Sequence, residues 1–298
     1  MRSVELHHVG LAPAWIGPSD SALRFPDGGE FRLEIPSVET PAMLAAVVDA
    51  AADHGVTINR VSQGSGAALL TEAELREMSH LARAHGIDLV LFVGPRAGFD
   101  IGVFSRSPMG PAQYASVRGT RQLGYAVEDV LRATEAGVRS FLVGDIGLLA
   151  VLTDLRSQGR LPQDCAWKIS AYTAPSNPAT LRVLENLGAA TVNVATDLTL
   201  EELADMRRAV QLPLDVYLEA PDGMGGVMRG HEISDVVAVA APIYVKFGLR
   251  NAPVTYPTGQ HIAAEGVAMS KERVRRAAIA LEWLVRLRPD TVQSPVSA

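Results

Sequence analysis

Short apolar stretches alternate along this chain with longer amphipathic ones, and turn residues separate them. Eight short stretches read as strands: "EFRLEIP" (30–36), "TINRVSQ" (57–63), "DLVLFVG" (88–94), "SFLVGD" (140–145), "WKISAYT" (167–173), "TVNVAT" (191–196), "LDVYLEA" (214–220) and "PIYVKFG" (242–248). They are short, β-rich and bounded by turn residues, the pattern of buried parallel strands. Helices fall between them. "TPAMLAAVVDAAADHG" offers Thr40 as N-cap, Pro41 in the first turn and Gly55 as the stop. Thr71 with Glu74, and Thr199 with Glu202, have the spacing of capping boxes. "NPATLRVLENLG" repeats the cap–Pro–helix–Gly order, and "SKERVRRAAIALEWLVRL" (270–287) supplies a closing helix.

Strands that alternate with helices build a parallel sheet. Eight such units predict an α/β fold, a (β/α)8 TIM barrel, as a single domain over residues 30–288. An open doubly wound sheet is the alternative if one strand is misassigned. Residues 1–29 read as an irregular N-terminal segment and 289–298 as a flexible tail. Two long excursions, 95–123 and 249–269, follow strands. They therefore belong at the C-terminal mouth, where barrel active sites are built.

Side chains alternate faces along a strand, and the outer face of a barrel meets apolar helix surfaces. Assigning the apolar half of each strand outward turns Arg32, Glu34, Lys168, Ser170, Tyr172, Asn193, Asp215, Tyr217, Glu219, Tyr244 and Lys246 towards the axis, with Arg60 and Asp145 as further candidates. Buried charges are costly unless paired or wet. An internal ion-pair network accounts for lower-layer residues such as Arg32 and Asp215. Near the mouth, Glu219, Lys246, Glu34 and Lys168 are the candidate catalytic groups. Carboxylates and amines in a dry cavity shift one another's pKa, so such a set suits acid/base or Schiff-base chemistry. Glu219 and Lys246, on neighbouring strands, are expected to form the central pair.

Arg96, Arg106, Arg118, Arg121 and Arg250 lie on mouth loops, and arginine forks bind carboxylate and phosphate. The expected partner is a small anionic substrate, oriented by Arg60, Gln63, Arg118, Arg121, Tyr172, Asn193, Arg250 and Asn251. "QGSG" (63–66) and "GMGG" (223–226) offer backbone amides to an anion, although tight turns explain them equally well. Neither has the spacing of a P-loop or a dinucleotide fingerprint.

Composition narrows the classes. Hydrophobic residues make up 48% and charged residues 20% of 298, as in a globular chain with a large core. A net charge of −6 gives no global basic field, so no nucleic-acid partner is expected. No charge-free apolar run reaches membrane-spanning length, and the first residues lack a signal-peptide pattern. No membrane partner and a cytoplasmic location are the expectation, and a homo-oligomer stays open. One cysteine, Cys165, leaves no internal disulfide and no iron–sulfur cluster. No cofactor is predicted. A divalent metal held by Glu34, Glu219 and His261 is the alternative, without an HExxH motif to support it.

The stretch from Trp167 to Pro221 resembles the collagenase-like peptidase family, number 32 of the peptidases of unknown mechanism. The resemblance rests on Asn177, Gly188–Ala189, Leu198–Thr199–Leu200, Glu202 and Val216–Glu219. These are largely packing and capping positions, so the resemblance implies a barrel fold more directly than an activity. The family carries cysteines after the seventh strand, which some relatives use for a cluster in hydroxylation of RNA or quinone precursors. This chain has "EAPDGMGGVMRGHE" there and is similar to a cysteine-free branch. The combined expectation is an enzyme of lyase, isomerase or hydrolase type, with a metal-assisted peptidase or amidohydrolase, or a non-catalytic binding barrel, as alternatives.

Overall fold

A computed structural model describes residues 9–10, 17–100, 103–108, 110 and 113–296. Eight strands close into a parallel barrel in chain order. They are β1 (Phe31–Pro36), β2 (Arg60–Gln63), β3 (Asp88–Phe92), β4 (Ser140–Val143), β5 (Ala166–Ile169), β6 (Thr191–Asn193), β7 (Leu214–Glu219) and β8 (Ile243–Phe247). A helix follows each strand: α1 (Pro41–His54), α2 (Glu72–Ala84), α3 (Gly119–Glu135), α4 (Ile146–Ser157), α5 (Pro178–Asn186), α6 (Leu200–Ala209), α7 (Ile233–Ala240) and α8 (Ala263–Leu287). The chain is therefore a (β/α)8 barrel, and β8 returns to pair with β1, Glu34 standing opposite Lys246.

Local signals start and stop these helices as their chemistry requires. Thr40 accepts the Met43 amide at 3.3 Å and Gly55 ends α1 in the left-handed region at φ 63°. Both capping boxes, Thr71/Glu74 and Thr199/Glu202, are closed. The closing helix α8 begins earlier than its sequence pattern suggests, because residues 263–269 continue the turn that opens at Gln260. It packs on α1 so closely that a Cβ on Gly266 would lie 2.7 Å from Met43 Sδ.

The main core lies between barrel and helices. Phe31, Leu33, Ile35, Trp167, Ile169, Val192, Leu214, Val216, Ile243, Val245 and Phe247 all point into it. That set fixes the opposite faces of β1 and β5–β8 on the axis. A smaller apolar cluster of Val90, Phe92, Ala115 and Leu142 fills the axis beside β3 and β4. The barrel interior is thus polar on one side and apolar on the other.

The ends differ from expectation in one respect. Residues 17–29 hold no helix or strand, and Phe25 packs edge-on against Tyr244 at 5.4 Å. The end of the chain, expected as a free tail, is tied to β1 instead. Gln293 bridges Phe31, Ser294 N–H donates to the Phe31 carbonyl at 3.0 Å, and Asn59 Nδ2 donates to the carbonyls of Ser294 and Pro295. The open hydrogen-bonding groups at the barrel base explain why these polar residues settle there. His7 and His8 lie outside the described residues.

Candidate active site

The barrel axis carries two layers of polar side chains. The lower one is a buried ion-pair network, in which Asp215 Oδ2 alone of the carboxylate oxygens of Glu34 and Asp215 lacks a partner. Glu34 is fully buried and accepts from Ser62 Oγ at 2.7 Å, Arg60 Nη1 at 3.3 Å and Lys168 Nζ, with Lys246 Nζ 3.2 Å from its other oxygen. Asp215 accepts from Arg60 at 2.8 Å and Lys168 at 3.0 Å. Arg60 also donates to Asp88 at 3.0 Å, and its guanidinium lies 3.3 Å from the centre of the Tyr244 ring. Burial alone would raise the Glu34 carboxyl, but the charges of Lys168, Lys246 and Arg60 outweigh it and hold the group well below the usual carboxylate range. Burial pushes Lys168 down to about 8, against the opposing pull of Asp215 and Glu34.

The neighbouring cations add to the effect of burial. Three cations, Arg60, Lys168 and Lys246, face two fully buried carboxylates, Glu34 and Asp215, while the Asp88 side chain is 31% exposed. The enclosed network has one positive charge more than its buried carboxylates balance, which acts with burial to loosen the Lys168 proton.

The upper layer sits at the C-terminal mouth. Lys246 Nζ donates to Asn193 Oδ1 at 2.5 Å and lies 4.3 Å from the Tyr217 ring centre. Asn193 Nδ2 is anchored to the Ile169 carbonyl at 2.6 Å, which fixes which way its amide oxygen points. Above them is a cavity of about 50 Å³, lined among others by Ser62, Gln63, Tyr172, Asn193 and Tyr217, in which, among the described residues, Lys246 is the sole charged lining residue. Tyr256, from the segment after β8, closes it. Its hydroxyl bonds Ser37, and its ring sits so near Gly64 that a Cβ there would meet it at 2.8 Å. Thr258 N–H donates to Ser65 Oγ at 2.8 Å and pins the same segment.

Both glycine-rich stretches are turns rather than vacant anion cradles. The amides of Gly64 and Ser65 donate to the two oxygens of Glu39, each at 2.8 Å, so the chain's own carboxylate fills that nest. Gly225 and Gly226 donate back to the carbonyls of Asp222 and Pro221, and Met224 between them reaches the mouth cavity.

The structure brings Glu34, Lys168, Lys246 and Asn193 together on the axis as the alternation predicts, but Glu34 and Lys168, expected near the mouth, are held in the lower network by Arg60 and Asp215 and do not line the cavity. It does not bring Glu219 to Lys246. Tyr217 pairs with Lys246 and Glu219 with Phe247, so β7 advances two residues while β8 advances one. The bulge forms where the returning chain takes the end of β7: Ala220 N–H bonds the Val227 carbonyl and Arg229 N–H the Leu218 carbonyl. Glu219 consequently accepts the Arg250 amide at 3.1 Å, lies 3.8 Å from Arg276 Nε on α8, and borders a cleft with Phe247 and Trp283 on the flank of the barrel.

Other expectations need correction too. Arg60 is locked in the lower network rather than offered to a substrate. Strand β5 ends at Ile169, so Tyr172 reaches the cavity from a short 3-10 turn and is 38% exposed. Gln63 lines the cavity while its amide clasps both the N–H and the carbonyl of Gly66. Arg118, Arg121, Arg250 and Asn251 are exposed outside the cavity lining, Arg121 over Tyr125 and Asn251 donating to Asp222. The alternative metal set of Glu34, Glu219 and His261 is not assembled, since Glu219 faces α8 and His261 sits on an exposed turn. Among the described residues no three His, Cys, Asp or Glu side chains gather as a ligand set. Ser37, Ser62, Tyr256 and Arg96 were not among the predicted site residues. Arg96 alone carried a signal, as an arginine in a long mouth excursion.

The middle of the chain carries the sequence pattern of peptidase family U32, whose family model matches residues 115–220. That stretch contains Lys168, Asn193 and Asp215 but neither Glu34 nor Lys246. No curated protein matches the chain in sequence. Among solved structures, the U32 peptidase Mk0906 is similar at 16% identity and a TM-score of 0.42, over 70% of this chain and 73% of that one. The structure described as native KDPGal aligns at 9% identity and a TM-score of 0.50, over 90% of this chain and 100% of that one. Oxaloacetate acetylhydrolase, in complex with the product oxalate, aligns at 12% identity and a TM-score of 0.48, over 89% and 85%. At 9% identity, the likeness to the native KDPGal structure speaks for the barrel fold alone. Among the described residues no helix is long and apolar enough to cross a membrane.

Proposed function

We propose that the chain is a barrel enzyme that acts on a small anionic organic substrate at its C-terminal mouth, by lysine-assisted chemistry of the lyase or isomerase type. One observation carries this reading: among the described residues, the sole charged side chain lining the mouth cavity is the amine of Lys246. Every other lining group is neutral, so an incoming anion meets one cation and an incoming carbonyl meets one nucleophile. Glu34 bridges Lys246 and Lys168. In its free-base form the Lys246 amine adds to a carbonyl carbon, and the carbinolamine takes up a proton and loses water to leave an iminium that draws electrons from the neighbouring bond. Asn193 and Tyr217 hold the amine in place, and Tyr256 with Tyr172 keeps bulk water from the cavity.

Borohydride reduction in the presence of short 2-oxo acids tests the reading. A stable adduct should form on Lys246, found by peptide mass spectrometry, and Lys246→Met should form none. Adducts missing across the panel, or an adduct on an exposed lysine alone, would sink it.

A further inference from the structure

Behind the wall of the mouth lies a cation that the fold leaves half-satisfied. Arg96, in the segment after β3, is 3% exposed. Its Nη2 donates to the carbonyls of Gly64 and, at 2.9 Å, Ser65, whereas Nε and Nη1 have no partner. Phe92 and Phe99 lie 4.0 and 4.2 Å from the guanidinium, with Tyr114 at 5.5 Å. The acid that acts on it, Glu39, is taken by the Gly64 and Ser65 amides. Aromatic faces offset only part of the cost of burying an unpaired charge. Among the buried arginines, Arg273 on α8 is the parallel, with one bond to the Ser37 carbonyl at 3.3 Å and Nε unpartnered, whereas Arg60 and Arg207 pair more fully. Arg60 meets carboxylates through both Nε and Nη1, and Arg207 spreads both Nη groups over the carbonyls of Pro242, Val210 and Leu212. Arg96 uses one nitrogen and leaves two idle.

Its position gives those idle donors a use. Arg96 touches Gly64 and Phe92, and both line the cavity that holds Lys246. Tyr114, whose ring lies 5.5 Å from the guanidinium, packs in turn against the cavity-lining Tyr172 at 4.9 Å.

We infer that Arg96 is the anion receptor of the mouth, taking the carboxylate of a short 2-oxo acid whose carbonyl faces Lys246. The inference rests on the reading of Lys246 given above. A guanidinium fits a carboxylate, an amine needs a carbonyl, and a cavity of about 50 Å³ admits little between them.

Two probes separate the two residues. Acetone is a neutral carbonyl and pyruvate an anionic one, and both can be trapped with borohydride on the full chain. In Arg96→Met, acetone trapping at Lys246 should match wild type while pyruvate trapping falls at least tenfold. Calorimetry should show pyruvate binding weakened by a similar factor. Equal pyruvate binding in wild type and Arg96→Met overturns the inference and leaves the Lys246 reading standing. No trapping of either probe, with pyruvate binding still dependent on Arg96, overturns the Lys246 reading and leaves the receptor. Inorganic phosphate that binds tighter than pyruvate and depends on Arg96 overturns the carboxylate assignment. Should Arg96→Met not fold, Arg96→Gln, which keeps a donor for the Gly64 and Ser65 carbonyls, carries the same expectations.

Discussion

The lower and upper layers of the barrel axis are built from similar residues and differ in how completely they are paired. Below, Glu34 and Asp215 are each held by two or more cations, and Arg60 is shared among three carboxylates and a tyrosine face. Above, Lys246 reaches down to Glu34 at 3.2 Å and meets neutral groups on its cavity side, and Arg96 stands behind that cavity with two unused donors. A buried charge that faces opposite charges within the chain is accounted for by the fold, even where, as at Asp215, one oxygen goes unpartnered. A buried charge missing partners marks the place where a ligand completes the structure. On that contrast, the lower layer sets the geometry and protonation of the mouth, and the mouth carries the chemistry.

The largest expected effect would break the contrast outright. Glu34→Gln leaves Arg60, Lys168 and Lys246 buried with one carboxylate fewer. Removing one partner of a buried pair typically costs about 3–5 kcal/mol. Urea unfolding should show a loss of that order for Glu34→Gln, and a clearly smaller one for Lys246→Met, which relieves the positive surplus. Equal losses would mean that the two layers are energetically one.

The second effect concerns pH. Lys168 titrates near 8 in the folded protein and near 10.5 when unfolded. Between those values the unfolded chain binds more protons, so stability rises with pH through the window. Tyr217 and Tyr256, whose phenols burial pushes up, act oppositely above about pH 10, which bounds the rise to roughly pH 8–10. The gain should be on the order of 1–2 kcal/mol, read as the slope of unfolding free energy against pH. The variant Lys168→Met should flatten the slope, whatever its absolute stability. A wild-type curve that falls across this window would contradict the charge balance drawn for the lower layer.

Much of this arrangement was legible in the sequence, for a physical reason. The helices cover the barrel with an apolar surface, so the apolar half of each strand reports the outer face, and Glu34, Lys168, Asn193, Asp215 and Lys246 follow by parity. Capping residues report helix starts in the same direct way. What was not legible depends on contacts without a period. Tyr256 and Arg96 sit in loops whose course no alternation encodes. The "QGSG" amides are occupied by Glu39, a residue from another loop. The depth of Arg60 follows from the pairing of β2 with β1 and β3, and the tail joins β1 through bonds that its polar composition does not announce.

Glu219 is where parity and structure part, and it yields the smallest and sharpest prediction. One extra residue in a strand reverses which face the next side chain takes. The bulge after Tyr217 does this to Glu219, placing it beside Phe247 and Arg276 and away from Lys246. Glu219→Gln should therefore leave trapping at Lys246 within about twofold of wild type, while the single hydrogen bond from Arg250 N–H weakens at a cost of roughly 0.5–1.5 kcal/mol. A carboxylate that served Lys246 as its acid/base partner would instead cost orders of magnitude in rate. Trapping rates and urea midpoints on one variant thus decide whether this residue belongs to the mouth or to the flank. A large loss of trapping with unchanged stability would return Glu219 to the mouth and overturn the division between the two layers.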